Sequence, residues 1–201
     1  YPQGLKVSVL RYGNVMDSRG SVLEVWREQA ARGGPLTVTD ERMTRFLVSL
    51  PQAAQLVHTA LNHMEGGEIF VPWLPSAHIV DLAGILHPTV PLKYVGIRPG
   101  GEKLHETLMA REEKTRVIAV AAVLLCAILP SHHSWRTAPW SYGLFEGESS
   151  AFSSEWHPLN LKELGLWLKQ AGLSPLPSSA WPVGTLPTLD QALDLDQCLC
   201  P

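Results

Sequence analysis

Hydrophobic and polar positions along the first half of the chain alternate between the two periods expected of strands and helices. Lys6–Leu10 alternates, carries β-branched residues and runs into Arg11-Tyr12-Gly13-Asn14, which predicts a strand ended by a turn. Ser21 is placed to cap a helix from Val22 to Arg32 that Gly33-Gly34 stops. Leu36–Val38 and Phe46–Val48 are short strand candidates around a charged loop, Asp40 to Arg45. Ser49, with Pro51 just inside, opens a helix whose Ala53, Ala54, Val57, Ala60, Leu61 and Met64 share one face; Gly66-Gly67 ends it. Glu68–Val71 follows as a strand, Ser76 as the cap of a helix Ile79 to Leu86, and Leu92–Ile97 as a strand leading to Arg98-Pro99-Gly100-Gly101. Glu102–Met109 reads as helical, and Leu161–Ala171 as a helix capped by Asn160 and closed by Gly172. Strands alternating with helices define an α/β chain. The longest apolar run, Val117–Leu129, is well short of the roughly 20 residues that span a bilayer, so a buried strand or a core helix is expected and membrane insertion is not.

Composition adds limits. With 45% hydrophobic and 17% charged residues, the 201-residue chain has too much apolar surface to be disordered as a whole. A net charge of −3 offers no basic excess for general nucleic-acid binding. Three cysteines build no disulfide framework, and no basic-then-apolar leader opens the sequence, so a reducing, cytoplasmic setting is expected. The average hides a division. Residues 1–116 hold 13 of the 16 Lys and Arg and 12 of the 19 Asp and Glu, whereas the rest sums to −4 and carries five of the seven tryptophans. Three parts are therefore expected: 1–116, a diverged segment 117–172 with one helix, and a disordered tail 173–201 rich in Pro and Ser. Opening at Tyr1 almost directly into a strand, the chain is expected to be part of a longer protein.

Chemistry concentrates after the predicted strands, where α/β folds place ligand contacts. Asn14 with Arg19, Arg42 with Arg45, and Arg98 lie in three such stretches. Guanidiniums gathered from them would suit a diphosphate, because each presents a fork of donors. Glu102, beside Arg98, is a carboxylate that could accept hydrogen bonds from ribose hydroxyls, or an acidic first helical turn. His132-His133 and Cys198-x-Cys200 lack partners at ligand spacing, and no metal site is expected. These 201 residues contain no glycine-rich dinucleotide fingerprint, no Tyr followed four positions later by Lys, no P-loop and no G-x-S-x-G. On these residues alone the chain is a binding module without catalytic residues.

Four segments carry a resemblance: R-Y-G-N-V-x-x-S-R-G-S-V (Arg11–Val22), P-L-T-V-T-D-E-R-M-T-R-F (Pro35–Phe46), G-G-E-I-F-V-P (Gly66–Pro72) and I-R-P-G-G-E-K-L-H-E (Ile97–Glu106). In this order and spacing they resemble the nucleotide-sugar 4,6-dehydratases, CapD-like polysaccharide-biosynthesis proteins of the extended short-chain dehydrogenase/reductase type. Ser153 to Leu164 is a weaker echo of that family's C-terminal segment. The resemblance implies an incomplete Rossmann-type α/β fold: the last strands of the parallel sheet, a small α/β substrate-binding part and an irregular tail. It implies a UDP-N-acetylhexosamine substrate, an NAD(P) cofactor whose main determinants these residues lack, and a homo-oligomer. By the same resemblance Asn14 and the Val15–Arg19 loop, with Val15, Ser18 and Arg19, would line the substrate and nicotinamide end of the site, Arg45 and Arg98 would hold the diphosphate, and Glu102 the uridine ribose. The pattern is also departed from. Asp17 stands where the family has glycine, which would put a carboxylate near a phosphate or the cofactor, and an additional glycine at Gly100 or Gly101 lengthens the Arg98–Glu102 spacing. Three functions follow as alternatives: the substrate-binding portion of a dehydratase, a non-catalytic nucleotide-sugar-binding module, or an interaction scaffold centred on residues 117–201.

Overall fold

The structure, a computed structural model, describes residues 4–120, 125–128, 152–155 and 158–173. In chain order the elements are β1 (Val9–Leu10), β2 (Asn14–Val15), α1 (Val22–Ala31), β3 (Leu36–Val38), β4 (Thr44–Val48), α2 (Leu50–His63), β5 (Ile69–Pro72) and β6 (Ser76–His78). There follow α3 (Ile79–Leu86), β7 (Leu92–Tyr94), β8 (Thr107–Met109), a 3₁₀ turn (Arg111–Arg116), β9 (Val117–Val120), β10 (Leu125–Ile128), β11 (Phe152–Ser153) and α4 (Leu161–Gln170). The tail expected from residue 174 onward, His132-His133 and Cys198-x-Cys200 lie outside the described residues.

The largest sheet has the order β1-β5-β10-β9. β1 and β5 are parallel, with Val9 opposite Ile69, and their hydrogen bonds extend past the short strand. The Gly67 amide donates to the Val7 carbonyl at 2.7 Å, and the Val9 and Arg11 amides donate to Glu68 and Phe70 at 3.0 and 2.9 Å. The Glu68 carboxylate, 1% exposed, accepts the amides of Glu65 and Gly66 and the Ser8 hydroxyl, fixing the turn into β5 to β1. The apolar run Val117–Leu129 resolves into a pair of antiparallel strands, β9 and β10, with β10 antiparallel to β5 in turn. This is an incomplete Rossmann-type α/β fold, with β1 and β5 the parallel pair of the largest sheet.

β4 is central because all five of its residues are buried. Successive strand residues face opposite sides, so Leu47 joins one core while Phe46 and Val48 join another. The first core takes Leu23 and Trp26 from α1, Leu36 and Val38 from β3, Leu82 and Ala83 from α3, and Leu164 and Leu168 from α4. The second takes Val71, Leu108, Met109, Ile128 and Phe152. Gly13 crosses β4 so closely that a Cβ there would lie 2.5 Å from that of Phe46, so only glycine fits. Polar bonds align α1 on β3: the Trp26 indole donates to the Thr37 carbonyl at 2.8 Å, and the Gln29 amide group brackets Thr37 with two bonds of 2.8 Å.

Three expectations are corrected. Glu102–Met109 is not a helix, because its backbone is taken by distant partners. The Thr44 amide donates to the Leu104 carbonyl at 3.1 Å, β8 pairs with β11, and the Ser154 amide donates to the Glu106 carbonyl at 2.8 Å. Ser76 is not the N-cap: it opens β6, which pairs antiparallel with β4, and the helix starts after His78. Arg45 is not a loop residue but the second residue of β4.

Candidate functional site

β2 runs parallel to β4, with Asn14 opposite Leu47, and its last residues open onto a cleft of about 490 Å³. Four separate stretches meet there: Asn14 to Leu23, Thr37 to Leu47, Ile79 with Leu82, and Arg98 to Glu106. Of the residues named from the sequence, Asn14, Val15, Ser18, Arg45, Arg98 and Glu102 line this cleft. Arg19 does not. Nor does Arg42, whose guanidinium forks onto Asp40 at 2.9 and 2.8 Å and so holds that carboxyl down at about 2.

The two cleft arginines differ in kind. Arg45, 9% exposed, donates through Nη1 to the carbonyls of Thr44 and Leu104 at 2.7 and 3.0 Å and through Nη2 to that of Lys103 at 2.8 Å. Its Nε faces Glu106 Oε1 at 3.8 Å. Burial lowers its pKa, with Glu106 and Glu102 opposing that and Arg98 adding to it. Arg45 thus ties the 98–106 stretch to β4 as well as lining the cleft. Arg98 is exposed and paired. Its Nε and Nη2 reach the two carboxylate oxygens of Glu102 at 3.1 and 2.8 Å, and its backbone amide donates to the same group at 3.0 Å. Hydrogen bonding from Arg98, against the effect of burial, holds the Glu102 carboxyl down at about 2. Thr39 Oγ1 adds a longer contact of 3.4 Å. Gly100 and Gly101, with φ of 110° and 100°, turn the backbone so that residues four apart meet.

Asp17 lies outside the cleft lining, contrary to the expectation of a carboxylate near the ligand. It does take the left-handed conformation that favours glycine, with φ of 60°, but its carboxylate does not line the cleft. It is held 2.5 Å from Arg27 Nη1, beside a separate cavity of about 160 Å³ with His87 and Leu173.

Several cleft residues are new relative to the sequence. Ser21 holds the N-cap position of α1 but its side chain makes no capping bond, and its buried Oγ has no hydrogen-bond partner among the described residues. Thr39, Lys103 and Glu106 complete the polar lining. Lys103 and Glu106 stand inside the motif that ends Ile97–Glu106, and the expected helix hid their direction. A second cavity of about 520 Å³ is lined by Leu10, Arg11, Tyr12, Gly13, Asn14, Phe46, Glu106, Thr107 and Leu108. Among the described residues, only Asn14 and Glu106 belong to both cavities.

The parallel strand pairs and the cleft at their ends define an α/β protein of the Rossmann type. More closely, the chain belongs to the polysaccharide biosynthesis protein family, which matches residues 2–126. It is 45% identical over 109 residues to a UDP-N-acetylglucosamine 4,6-dehydratase (inverting) of Campylobacter jejuni, covering 54% of this chain and 32% of the relative. It is 40% identical over 116 residues to the probable polysaccharide biosynthesis protein EpsC of Bacillus subtilis, covering 54% and 19%. A UDP-glucose 4-epimerase of Rickettsia rickettsii is 41% identical over 112 residues, with coverage of 54% and 33%. The X-ray structure of Pen from Bacillus thuringiensis superposes with a TM-score of 0.70 at 26% identity, over 84% of this chain and 51% of that one. The chain thus spans about a third of the curated dehydratase it matches. No helix among the described residues is long and apolar enough to cross a membrane.

Proposed function

We propose that the chain is the substrate-binding portion of a nucleotide-sugar 4,6-dehydratase of surface-polysaccharide synthesis, acting in the cytoplasm on a UDP-N-acetylhexosamine. One observation carries this reading: residues from three distant motifs, Asn14 and Ser18, Arg45, and Arg98 with Glu102, line a single cleft. A diphosphate there competes with Glu102 for the exposed Arg98 fork, and the released carboxylate becomes an acceptor for ribose hydroxyls. Arg45, its Nη donors bound to carbonyls, keeps the 98–106 stretch in place and adds positive charge behind the phosphates.

NAD(P) does not fit the residues present. The sequence has no glycine-rich strand-to-helix turn, and the glycine after β1, Gly13, has its Cβ space filled by Phe46 rather than open to a phosphate. The chain by itself is therefore expected to bind and not to turn over. Calorimetric titration of the whole chain with UDP-N-acetylglucosamine tests the reading. Saturable binding, weakened at least tenfold by Arg98→Ala, is expected, on the scale of a lost charge-assisted bond pair. Absence of binding by a folded sample overturns it, and turnover on addition of NAD(P) overturns the expectation that the chain only binds.

A further inference from the structure

Among the described residues Asn14 and Glu106 alone line both cavities, so the two spaces adjoin at these residues. Arg45 settles where the carboxylate stands. Three hydrogen bonds from Nη1 and Nη2 to carbonyls fix its guanidinium, and Nε is left facing Glu106 at 3.8 Å. The backbone of Glu106 is pinned as well, its amide donating to Ser154 Oγ at 2.8 Å and its carbonyl accepting the Ser154 amide at 2.8 Å. Its side chain is nevertheless 41% exposed. The result is a carboxylate placed by its surroundings but with oxygen lone pairs still open to a ligand. Elsewhere in the second cavity charge is already consumed: Arg11 forks onto Glu113 with two bonds of 2.8 Å and also donates to the Leu108 carbonyl.

A carboxylate residue and an amide residue on the border between a cleft suited to a nucleoside diphosphate and a second cavity of similar size match a ring of neighbouring hydroxyls. Carboxylate oxygens accept from hydroxyls, and an amide both donates and accepts. We propose that Glu106 binds hydroxyl groups of the hexosyl ring, with Arg45 as its positioning residue, so that the sugar end of the ligand lies at the junction of the two cavities. This deepens the proposed function and rests on it. Diphosphate binding is the role of Arg98; discrimination of a sugar-bearing ligand from the bare nucleotide is the role of Glu106.

Titrations of the whole chain with UDP and with UDP-N-acetylglucosamine separate the two claims. The unaltered chain is expected to bind the sugar nucleotide more tightly than UDP. In Glu106→Gln the affinity for UDP stays within about twofold, while that for UDP-N-acetylglucosamine falls on the order of tenfold, toward the UDP value. Equal losses for both ligands, or no loss for either, overturn the role of Glu106. Failure of the unaltered chain to bind UDP overturns the underlying reading and this one with it. A second measurement needs no variant: saturation-transfer NMR on the unaltered chain with UDP-N-acetylglucosamine. Saturation of hexosyl as well as uridine protons is expected, and saturation confined to uridine overturns the proposal.

Discussion

Glu102 and Arg98 hold each other in the unliganded cleft, and the consequence is a definite pH dependence. The Glu102 carboxyl is lowered from 4.5 to about 2, chiefly by the Arg98 fork. A group depressed in the folded state contributes stability that is complete above its unfolded value and is lost as pH falls through the folded one. The contribution should therefore disappear between about pH 4.5 and about pH 2, and it is modest, because Arg98 stands 76% exposed to solvent. In Glu102→Gln the thermal midpoint is expected to fall less steeply over that interval than in the unaltered chain. Asp40 titrates in the same range with its partner Arg42, but equally in both proteins, so the difference in slope reports Glu102 alone. Identical slopes would show that the pair adds no pH-dependent stability.

At the level of elements, α4 shows how a distant segment is joined to the cleft-bearing fold. Asn160 Oδ1 accepts the amides of Lys162 and Glu163 at 3.0 Å each, and Glu163 returns a bond to the Asn160 amide at 2.9 Å. The helix then places Leu164 and Leu168, 0% and 1% exposed, in the core under α1 and α3. Asn160→Ala is expected to cost about 1 kcal/mol of the whole domain's stability, read as a lower urea midpoint with unchanged slope. This helix was legible from its cap, its apolar face and its closing Gly172, all local signals. So were α1 and α2, the latter with the Ser49–Gln52 capping box. What the sequence did not reveal depends on partners far along the chain. Residues 102–109 carry an acidic start that suits a helix, but Thr44, Ser154 and β11 take up their backbone groups from more than 40 positions away. The same distance explains the site. Its arginines and Glu102 stood out in their motifs, whereas the exposure of Glu106 to two cavities and the anchoring of Arg45 emerge only once β4 and the 98–106 stretch are docked.

Across the molecule, β1 is an outer strand of its sheet, and among the described residues no strand pairs with its far side. Leu5, Val7 and Val9 are 57%, 41% and 51% exposed, alternating with Lys6 and Ser8. Open backbone groups beside an apolar row invite pairing with another chain. The isolated protein is expected to associate as its concentration rises, and Val7→Lys to reduce that association, measured by sedimentation velocity. A chain that sediments as a monomer throughout the concentration series would show the edge to be inert. The Arg45 anchor has a consequence for time. It binds the carbonyls of Lys103 and Leu104, and the Thr44 amide donates to Leu104 as well, so this side of the cleft has no hinge independent of the strand. To swing outward, the stretch must take the start of β4 with it. Arg98 and Lys103 side chains can reorient within nanoseconds, but the backbone behind them moves only at the pace of local unfolding. A ligand arriving here meets a quick rim on a slow wall, and its residence is set by the wall.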